Sequence, residues 1–330
     1  FGSSLGSLFR ACNFLSGPLA FCPRTSFVCA FGLQMAQART NGAKPQANKP
    51  DPGSRGRVAM TGSSGIMGSR LYPALKEDGW EVVGVTRGMN KSQGGPNRDG
   101  KQEVHAEFVD RQCDFADPAS MESGVFDGCT HVLHLAAQGS PGASFEDILK
   151  SNIISTYHAY EAAKKAGVKR FVLASTNHVQ HGDSMEIGGG PGSLDPLRLK
   201  GKRMKTSDPP TPDSYYAASK LHNEDLGKLY SKVWKNFEVV SLRIGWVLYD
   251  DPTELKDTKF EKYLRSMFLS RRDCIGFCKA ALSAPLDPED GGYLCAFAVS
   301  NNSTRIFDLE ESIKKLGYSP VDSADDFKWD

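Results

Sequence analysis

The feature that most constrains this chain is a set of three glycines, Gly62, Gly65 and Gly68, directly after the apolar segment 58–61. Glycine permits a sharp turn and lets a phosphate approach main-chain N–H groups that a Cβ would block. The positive end of a following helix would face that phosphate. The pattern predicts a strand, a phosphate-binding turn and a helix reaching about Gly79. From this motif alone, a glycine-rich surface turn is the alternative.

Beyond the glycine turn, β-branched apolar runs alternate with long amphipathic segments. Strands are predicted at 81–86, 129–137, 169–175 and 237–245, and helices at 145–166 and 214–233. Such alternation builds right-handed β-α-β units, so the predicted fold class is α/β, a Rossmann-type doubly wound parallel sheet. A small C-terminal substrate lobe should follow, with a helix at 260–281, a strand at 292–299, a helix at 307–316 and a loose acidic tail.

The first fifty residues differ in composition from the rest of the chain. They contain no Asp or Glu, five basic residues and many Ser and Ala. This composition is typical of a transit segment, which would place the protein in a plastid or mitochondrion. The residues from Met35 onward instead suit a disordered start of a cytoplasmic protein. We therefore expect a leader-like or disordered segment at 1–56, a nucleotide-binding domain at 57–248 and a smaller lobe at 249–330 that completes it.

Charge and cysteine content exclude several classes of function. The net charge of the 330 residues is +1, which gives no reason to expect a nucleic-acid partner. No apolar run approaches the roughly 20 residues that a membrane-spanning helix needs. The eight cysteines form no C-x-x-C pair, so no zinc or redox site is expected. The expected partner is a small-molecule substrate.

Two side chains four residues apart could supply acid-base chemistry. Tyr216 and Lys220 share one face of the predicted helix 214–233. A phenol with an ordinary pKa of about 10 is a poor base at neutral pH, but an ammonium group one turn away favours the phenolate. Tyr216 is therefore a candidate proton acceptor. An ordinary aromatic and lysine on a helix is the alternative explanation.

A second polar group ends the predicted strand 169–175. Ser175, Thr176, Asn177 and His178 follow one another there. Ligands of parallel α/β sheets bind at the carboxyl ends of the strands. We therefore expect these side chains to lie at the same edge of the sheet as the glycine turn.

Together these motifs resemble the extended short-chain dehydrogenase/reductase family, also called the NAD-dependent epimerase/dehydratase family, and uronate dehydrogenases in particular. The resemblance covers 57–248 well and the remainder loosely, and its segments are 134–137, 145–149, 152–154, 160–163, 167–170, 174–179 and 241–245. It implies an NAD(P)-dependent oxidoreductase that removes hydride from the anomeric carbon of a sugar acid or related sugar. A sugar-nucleotide epimerase, dehydratase or reductase is an alternative, as is a non-catalytic NAD(P)H-binding subunit of a larger organelle complex.

The resemblance also implies roles for individual residues. Tyr216 would be the catalytic base, Lys220 would hold the nicotinamide ribose, Thr176 would orient the substrate and Asn152 would support the site. The residues implied to bind the cofactor lie at strand ends and in the glycine turn: Gly62, Ser64, Gly65, Ile66, Met67, Gly68, Arg87, Asp114, Phe115, Leu135, Ala136 and Ala137, with Tyr216 and Lys220. The residues implied to contact the substrate are Ser140, Asn177, His178 and Trp246. Members of the family often pair through two long helices, so a homodimer is a further expectation.

Three departures from the family pattern bear on specificity. Thr86 and Arg87 stand where NAD-specific members carry an acidic residue, which suggests NADP. Trp246 replaces a small hydroxyl residue, and the arginine expected for a substrate carboxylate has only Lys256, Lys262 and Arg265 as candidates. The segment 182–213 is long and basic, as expected for a lid or a solvated insertion.

Overall fold

A parallel sheet of seven strands forms the centre of the protein, described here from a computed structural model for residues 54–87, 108–186, 190–248 and 250–329. The strands lie in the order β3-β2-β1-β4-β5-β6-β7. They are β1 (Arg57–Thr61), β2 (Glu81–Thr86), β3 (Arg111–Gln112), β4 (His131–His134), β5 (Arg170–Thr176), β6 (Glu238–Ile244) and β7 (Tyr293–Ala298). The helices are α1 (Ile66–Glu77), α2 (Phe145–Ile148), α3 (Ser155–Ala166), α4 (Tyr215–Val233), α5 (Glu261–Met267), α6 (Arg271–Ser283) and α7 (Glu310–Leu316).

Helices cover both faces of this sheet. Along β1, Val58 and Met60 pack into a core with Leu71 of α1 and Phe277 of α6. Ala59, between them, packs into the opposite core with α3 and α4. Successive side chains of a strand point to opposite faces, so a strand that is apolar at every position needs a covered sheet on both sides. The predicted α/β doubly wound fold is confirmed.

The crevice of this sheet lies where the strand order reverses, between β1 and β4. The chain runs outward through β1, β2 and β3 and then returns to add β4 on the other side of β1. Thr61 and His134 are paired at the carboxyl ends of the two strands. Ligands of open α/β sheets bind at this point.

The predicted helix 145–166 is interrupted in the structure. A π-helical turn, Leu149–Ile154, separates α2 from α3. Its buried residue Asn152 forms side-chain hydrogen bonds with Gln138 and Ser219, outside the helix. Single π turns are frequent at functional sites because they re-aim one side chain.

The predicted helix 260–281 is likewise two helices, α5 and α6. Phe268 leaves the helical path and forms a bridge with Trp246. Ser270 then starts α6 as its N-cap, because its hydroxyl accepts a hydrogen bond from the Asp273 N–H. This break holds α5 beside the end of β6.

Two segments, 182–213 and the acidic tail, are more ordered than their composition suggested. The segment 182–213 contributes Met185, Leu194 and Met204 to a core with Phe297 and Phe307, so it is packed rather than a freely solvated insertion. The acidic tail, predicted to be loose, forms a 3₁₀ turn, Ala324–Asp326, and the Trp329 indole N–H donates to the Ala324 carbonyl. The predicted looseness of the tail is therefore wrong for its described residues.

The predicted leader lies outside the described residues, apart from positions 54–56. None of the described helices is both long and apolar enough to cross a bilayer.

His134 joins β4 to β1 and to α3 in the interior. Its fully buried ring lies 3.0 Å from the Thr61 hydroxyl through Nδ1 and 3.3 Å from the Thr156 hydroxyl through Nε2. Burial, with a smaller effect of Lys220, lowers the pKa of His134 to about 3. The folded protein therefore holds this ring neutral under conditions in which a free histidine would be charged.

We predict that His134 contributes to acid sensitivity. Between pH 7 and pH 4.5 the unfolded chain binds a proton at this position, because its pKa there is about 6.5, while the folded chain does not. The free energy of unfolding should therefore decrease as the pH is lowered from 7 to 4.5, and His134 should account for about 2 kcal/mol of this loss. The free energy of unfolding can be measured with urea at both pH values. Its decrease from pH 7 to pH 4.5 should be smaller in His134→Gln than in the wild type. The exposed ring of His222 provides the control His222→Gln, and equal losses in His134→Gln and wild type would contradict the prediction.

Candidate active site

The glycine turn forms a tight cradle between β1 and α1. Gly62 adopts a φ of +70°, and a Cβ added to Gly68 would lie 2.3 Å from the Gly62 carbonyl oxygen. Neither position tolerates a side chain without a shift of the backbone. Gly65 is the N-cap of α1 and provides no side-chain hydrogen bond, whereas serines cap α2, α4 and α6. The first amides of α1, including those of Ile66 and Met67, are thus left for an anionic group.

The end of β4 lies against this cradle. The Thr61 hydroxyl accepts hydrogen bonds from the N–H groups of Leu135 and Ala136, both at 3.1 Å. An added Cβ on Gly62 would lie 3.0 Å from the Ala136 nitrogen. The structure therefore brings the segment 135–137 beside the glycine turn, as a dinucleotide site requires.

The outer cofactor residues lie along β2 and β3. The Ser64 hydroxyl is 3.3 Å from the Thr86 hydroxyl, and Arg87 is exposed directly after β2. Asp114 follows β3 and accepts a hydrogen bond from the Ala116 N–H at 3.0 Å. Phe115 differs, because its ring is buried against Phe126 and His134. Its side chain therefore packs in the core, so a role in cofactor binding, which stays a prediction, would fall to its main chain.

Tyr216, Lys220 and Thr176 meet at the carboxyl end of β5. Lys220 is buried, and its ammonium group donates to the Ala174 carbonyl at 2.7 Å. The same nitrogen lies 5.9 Å from the centre of the Tyr216 ring. Ser214 places the two residues by capping α4, since its hydroxyl accepts from the Ala217 N–H.

The pKa of Tyr216 does not shift in the direction that the sequence suggested. Burial raises it to about 12, a hydrogen bond with the Thr176 hydroxyl lowers it, and Asp213 raises it. Burial lowers the pKa of Lys220 to about 8, and Glu224 opposes that shift. The expected lowering of the phenol pKa by Lys220 is therefore not found in this state, because the cost of burying a phenolate is larger.

The side-chain amide of Asn152 holds neighbouring segments together. Its side-chain oxygen accepts from the Gln138 N–H at 2.8 Å, and its amide nitrogen donates to the Ser219 hydroxyl at 3.0 Å. It therefore ties the loop after β4 to the helix that carries Tyr216. Ser140, on the same loop, is exposed.

The other predicted substrate residues gather around α5. The Asn177 amide lies 3.4 Å from the Tyr263 hydroxyl, and that hydroxyl lies 3.1 Å from Nε2 of His178. Trp246 packs edge-on against Tyr263, with ring centres 5.2 Å apart. The indole therefore packs against the ring whose hydroxyl contacts both Asn177 and His178.

The sequence interpretation missed Tyr263, Asp213 and His181 as members of this group. Asp213 lies 2.7 Å from Nδ1 of His178 and 3.3 Å from Nε2 of His181. The only local indication in the sequence for Asp213 was its neighbour Ser214. Ser214 is a predictable N-cap of α4 and therefore places Asp213 directly before that helix. Nothing in the local pattern marked Tyr263, which tertiary packing alone brings to the site.

The three cations considered for a substrate carboxylate differ in their contacts and exposure. Arg265 pairs with Glu261 at 3.4 Å, and its guanidinium group lies 4.9 Å from the Trp329 ring centre. Lys256 is partly buried and Lys262 is exposed. Of the three, the arginine is therefore already engaged elsewhere.

Comparisons with known proteins agree with this architecture. The model of the NAD dependent epimerase/dehydratase family matches residues 58–274. L-arabinose 1-dehydrogenase (NAD(P)(+)) of Haloferax volcanii is 34% identical over 81% of this chain and 97% of its own length. Uronate dehydrogenase of Pseudomonas putida is 30% identical over 82% and 86%. The crystal structure of glucuronic acid dehydrogenase from Chromohalobacter salexigens matches with a TM-score of 0.62 and 27% identity over 82% and 85%.

These findings confirm the resemblance inferred from the glycine turn, the Tyr-x-x-x-Lys helix and the polar strand end. The family match covers the cradle, the helix that carries Tyr216 and Lys220, and the strand ends that bear the candidate residues. The chain belongs to the NAD-dependent epimerase/dehydratase family.

Proposed function

We propose that this protein is an NAD(P)-dependent sugar dehydrogenase that oxidises the C1 hydroxyl of a cyclic aldose to the lactone. The observation that carries the proposal is the meeting of Tyr216, Thr176 and Lys220 at the sheet edge that also holds the glycine cradle. The relatives described above, an arabinose dehydrogenase and uronate dehydrogenases, support it. A non-catalytic subunit would have no need of this set of side chains.

The residues present fit a bound dinucleotide. The uncapped amides of α1 and the glycine cradle suit its pyrophosphate, and the edge formed by 135–137 suits its nicotinamide half. When bound, the cofactor accepts the hydride from C1. Everything else in the reaction is left to the protein's own side chains.

Those side chains would position the sugar and take its proton. The C1 hydroxyl would give its proton to the Tyr216 oxygen while the Thr176 hydroxyl holds it in place. Since burial raises the pKa of Tyr216 to about 12, the phenolate needs positive charge nearby at that moment. Lys220, with its nitrogen 5.9 Å from the ring, is placed to supply it.

The chemistry around His178 favours a neutral sugar over a sugar acid. The side chains gathered there are Asn177, Tyr263 and the acidic Asp213, and Arg265 is engaged with Glu261. A uronate would bring a carboxylate that needs a cation or a strong donor. We therefore propose an aldopentose or aldohexose as the substrate.

The first functional prediction concerns this substrate. Reduction of the cofactor, followed by absorbance, should give a higher kcat/KM with L-arabinose or D-galactose than with D-galacturonate or D-glucuronate. Tyr216→Phe should lower kcat by about 10²- to 10⁴-fold, because the proton acceptor is lost. Tyr215→Phe, which changes the exposed neighbouring phenol, is the control. A preference for the uronates would contradict the substrate, and full activity of Tyr216→Phe would contradict the mechanism.

The second functional prediction concerns the cofactor. We propose that Arg87 binds a ribose 2′-phosphate, because it is exposed after β2 and no carboxylate follows that strand directly. NADP should be used at least as well as NAD, and Arg87→Ala should raise KM for NADP about tenfold with a smaller change for NAD, since a charge-assisted hydrogen bond is lost. Arg55→Ala removes an exposed arginine that pairs with Asp78 and is the control. A strong NAD preference of the wild type would refute the proposal.

The third functional prediction concerns assembly. We propose a homodimer through α3 and α4, which expose Tyr157, Leu229 and Val233 by 46%, 49% and 57%. A contiguous exposed apolar patch is typical of an interface, and Leu229 and Val233 lie one turn apart on α4. The double variant Leu229→Glu, Val233→Glu should elute as a monomer in size-exclusion chromatography with light scattering. Leu197→Glu, at an exposed leucine elsewhere, should stay dimeric, and a monomeric wild type would exclude the interface.

A further inference from the structure

A directed chain of hydrogen bonds surrounds the His178 ring. Asp213 lies 2.7 Å from Nδ1 and the Tyr263 hydroxyl lies 3.1 Å from Nε2, so both ring nitrogens have partners. The Asn177 amide donates to the same Tyr263 hydroxyl at 3.4 Å. We refer to these four residues, with His181, as the His178 cluster.

The direction of this chain follows from the chemistry of its ends. Burial raises the pKa of Asp213, but the hydrogen bond from His178 and the proximity of the His181 ring outweigh it and hold that pKa well below its usual value. An ionised carboxylate can only accept, so Nδ1 of His178 carries the proton. Nε2 is then a lone-pair acceptor, and the Tyr263 hydroxyl donates to it. The Tyr263 oxygen is in turn free to accept from Asn177.

Asp213 is fixed in place by the catalytic helix. The Ser214 hydroxyl donates to the other Asp213 oxygen at 2.8 Å and also caps α4. The His181 ring packs edge-on against His178, with centres 4.5 Å apart, and approaches Asp213 without an aligned hydrogen bond. The Asp213 carboxylate, which sets the protonation of His178, is therefore fixed relative to the start of α4, where Tyr216 lies.

A metal ion is the other explanation for two histidines beside a carboxylate. The ligand atoms of His178, His181 and Asp213 lie within 4.8 Å of one another. The 2.7 Å separation between Nδ1 of His178 and Asp213 is a hydrogen-bond distance. It is shorter than the roughly 3.3 Å between ligand atoms that zinc bonds of about 2.0 to 2.1 Å would give in a tetrahedral site. The geometry favours a proton between the two atoms.

The family resemblance already implies that His178 contacts the substrate. We propose that Asp213 is a positioning residue that fixes the form of this contact: it holds Nε2 of His178 as the acceptor of a hydrogen bond from a substrate hydroxyl, in place of the Tyr263 hydroxyl. This inference rests on the proposed sugar dehydrogenase function and specifies how the sugar is recognised. A hydroxyl can donate to Nε2, whereas the ionised carboxylate of a uronate cannot. The cluster therefore selects for a sugar hydroxyl at this position.

The first test is spectroscopic and needs no substrate. In protein labelled with ¹⁵N-histidine, long-range proton–nitrogen correlation spectra should show His178 protonated at Nδ1, with the signal assigned by its loss in His178→Gln. In Asp213→Asn the Nε2-protonated form should increase. Asp208→Asn removes a carboxylate of the same segment that pairs with Lys202, and it should leave the spectrum unchanged. Protonation of His178 at Nε2 in the wild type would overturn the proposal.

The second test is kinetic. Asp213→Asn should raise KM for the aldose about tenfold, the loss expected for a hydrogen bond involving a charged or oriented partner, with kcat changed little. The dissociation constant of the reduced cofactor, measured by its fluorescence, should stay the same. Across a series of singly deoxygenated sugars, the wild type should discriminate against one analogue, and Asp213→Asn should lose much of that discrimination. Equal discrimination by both proteins would overturn the proposal.

The two tests separate this inference from the function on which it rests. If the wild type oxidises no aldose, the proposed function fails while the spectra still decide the protonation of His178. Titration of the wild type with Zn²⁺ in a calorimeter should show no stoichiometric binding. Binding that Asp213→Asn abolishes would make the cluster a metal site and overturn the proposal.

Discussion

The pairing of β1 with β4 at the reversal of strand order is the constraint on which the rest of the site depends. One buried hydroxyl, that of Thr61, accepts two main-chain hydrogen bonds from the residues after β4 and contacts the His134 ring. This single hydroxyl therefore joins β1, which precedes the glycine cradle, to the end of β4. Because a buried polar group without partners costs about 1 to 3 kcal/mol, the geometry at this junction is closely specified.

The same demand for hydrogen-bond partners connects the candidate catalytic residues. Asn152 occupies a π-helical turn and bridges Gln138 to Ser219, and Asn223 of α4 bonds to the Asn152 carbonyl at 3.2 Å. Lys220 is buried against the Ala174 carbonyl. Burial also explains why the phenol pKa is high in this state, since a low-dielectric surrounding penalises the charged form.

The substrate side of the site is built by parts of the chain that are distant in sequence. Asp213 comes from the loop before α4, His178 from the end of β5 and Tyr263 from α5. The small C-terminal helix α5 reaches the site because Trp246 and Phe268 form a bridge that bends the chain after β6. The grouping of these candidate residues therefore depends on how α5 packs against the sheet edge.

The sequence by itself determined the doubly wound fold, the glycine cradle and the pairing of Tyr216 with Lys220, because strand periodicity, glycine spacing and helical spacing are local properties of the chain. It could not show that Phe115 turns into the core, that burial outweighs Lys220 at Tyr216, or that the helices at 145–166 and 260–281 break. Only the tertiary structure brought Asp213, His178 and Tyr263 together. Contacts between residues far apart in sequence, and the desolvation that packing imposes on them, leave no periodic signal in the chain.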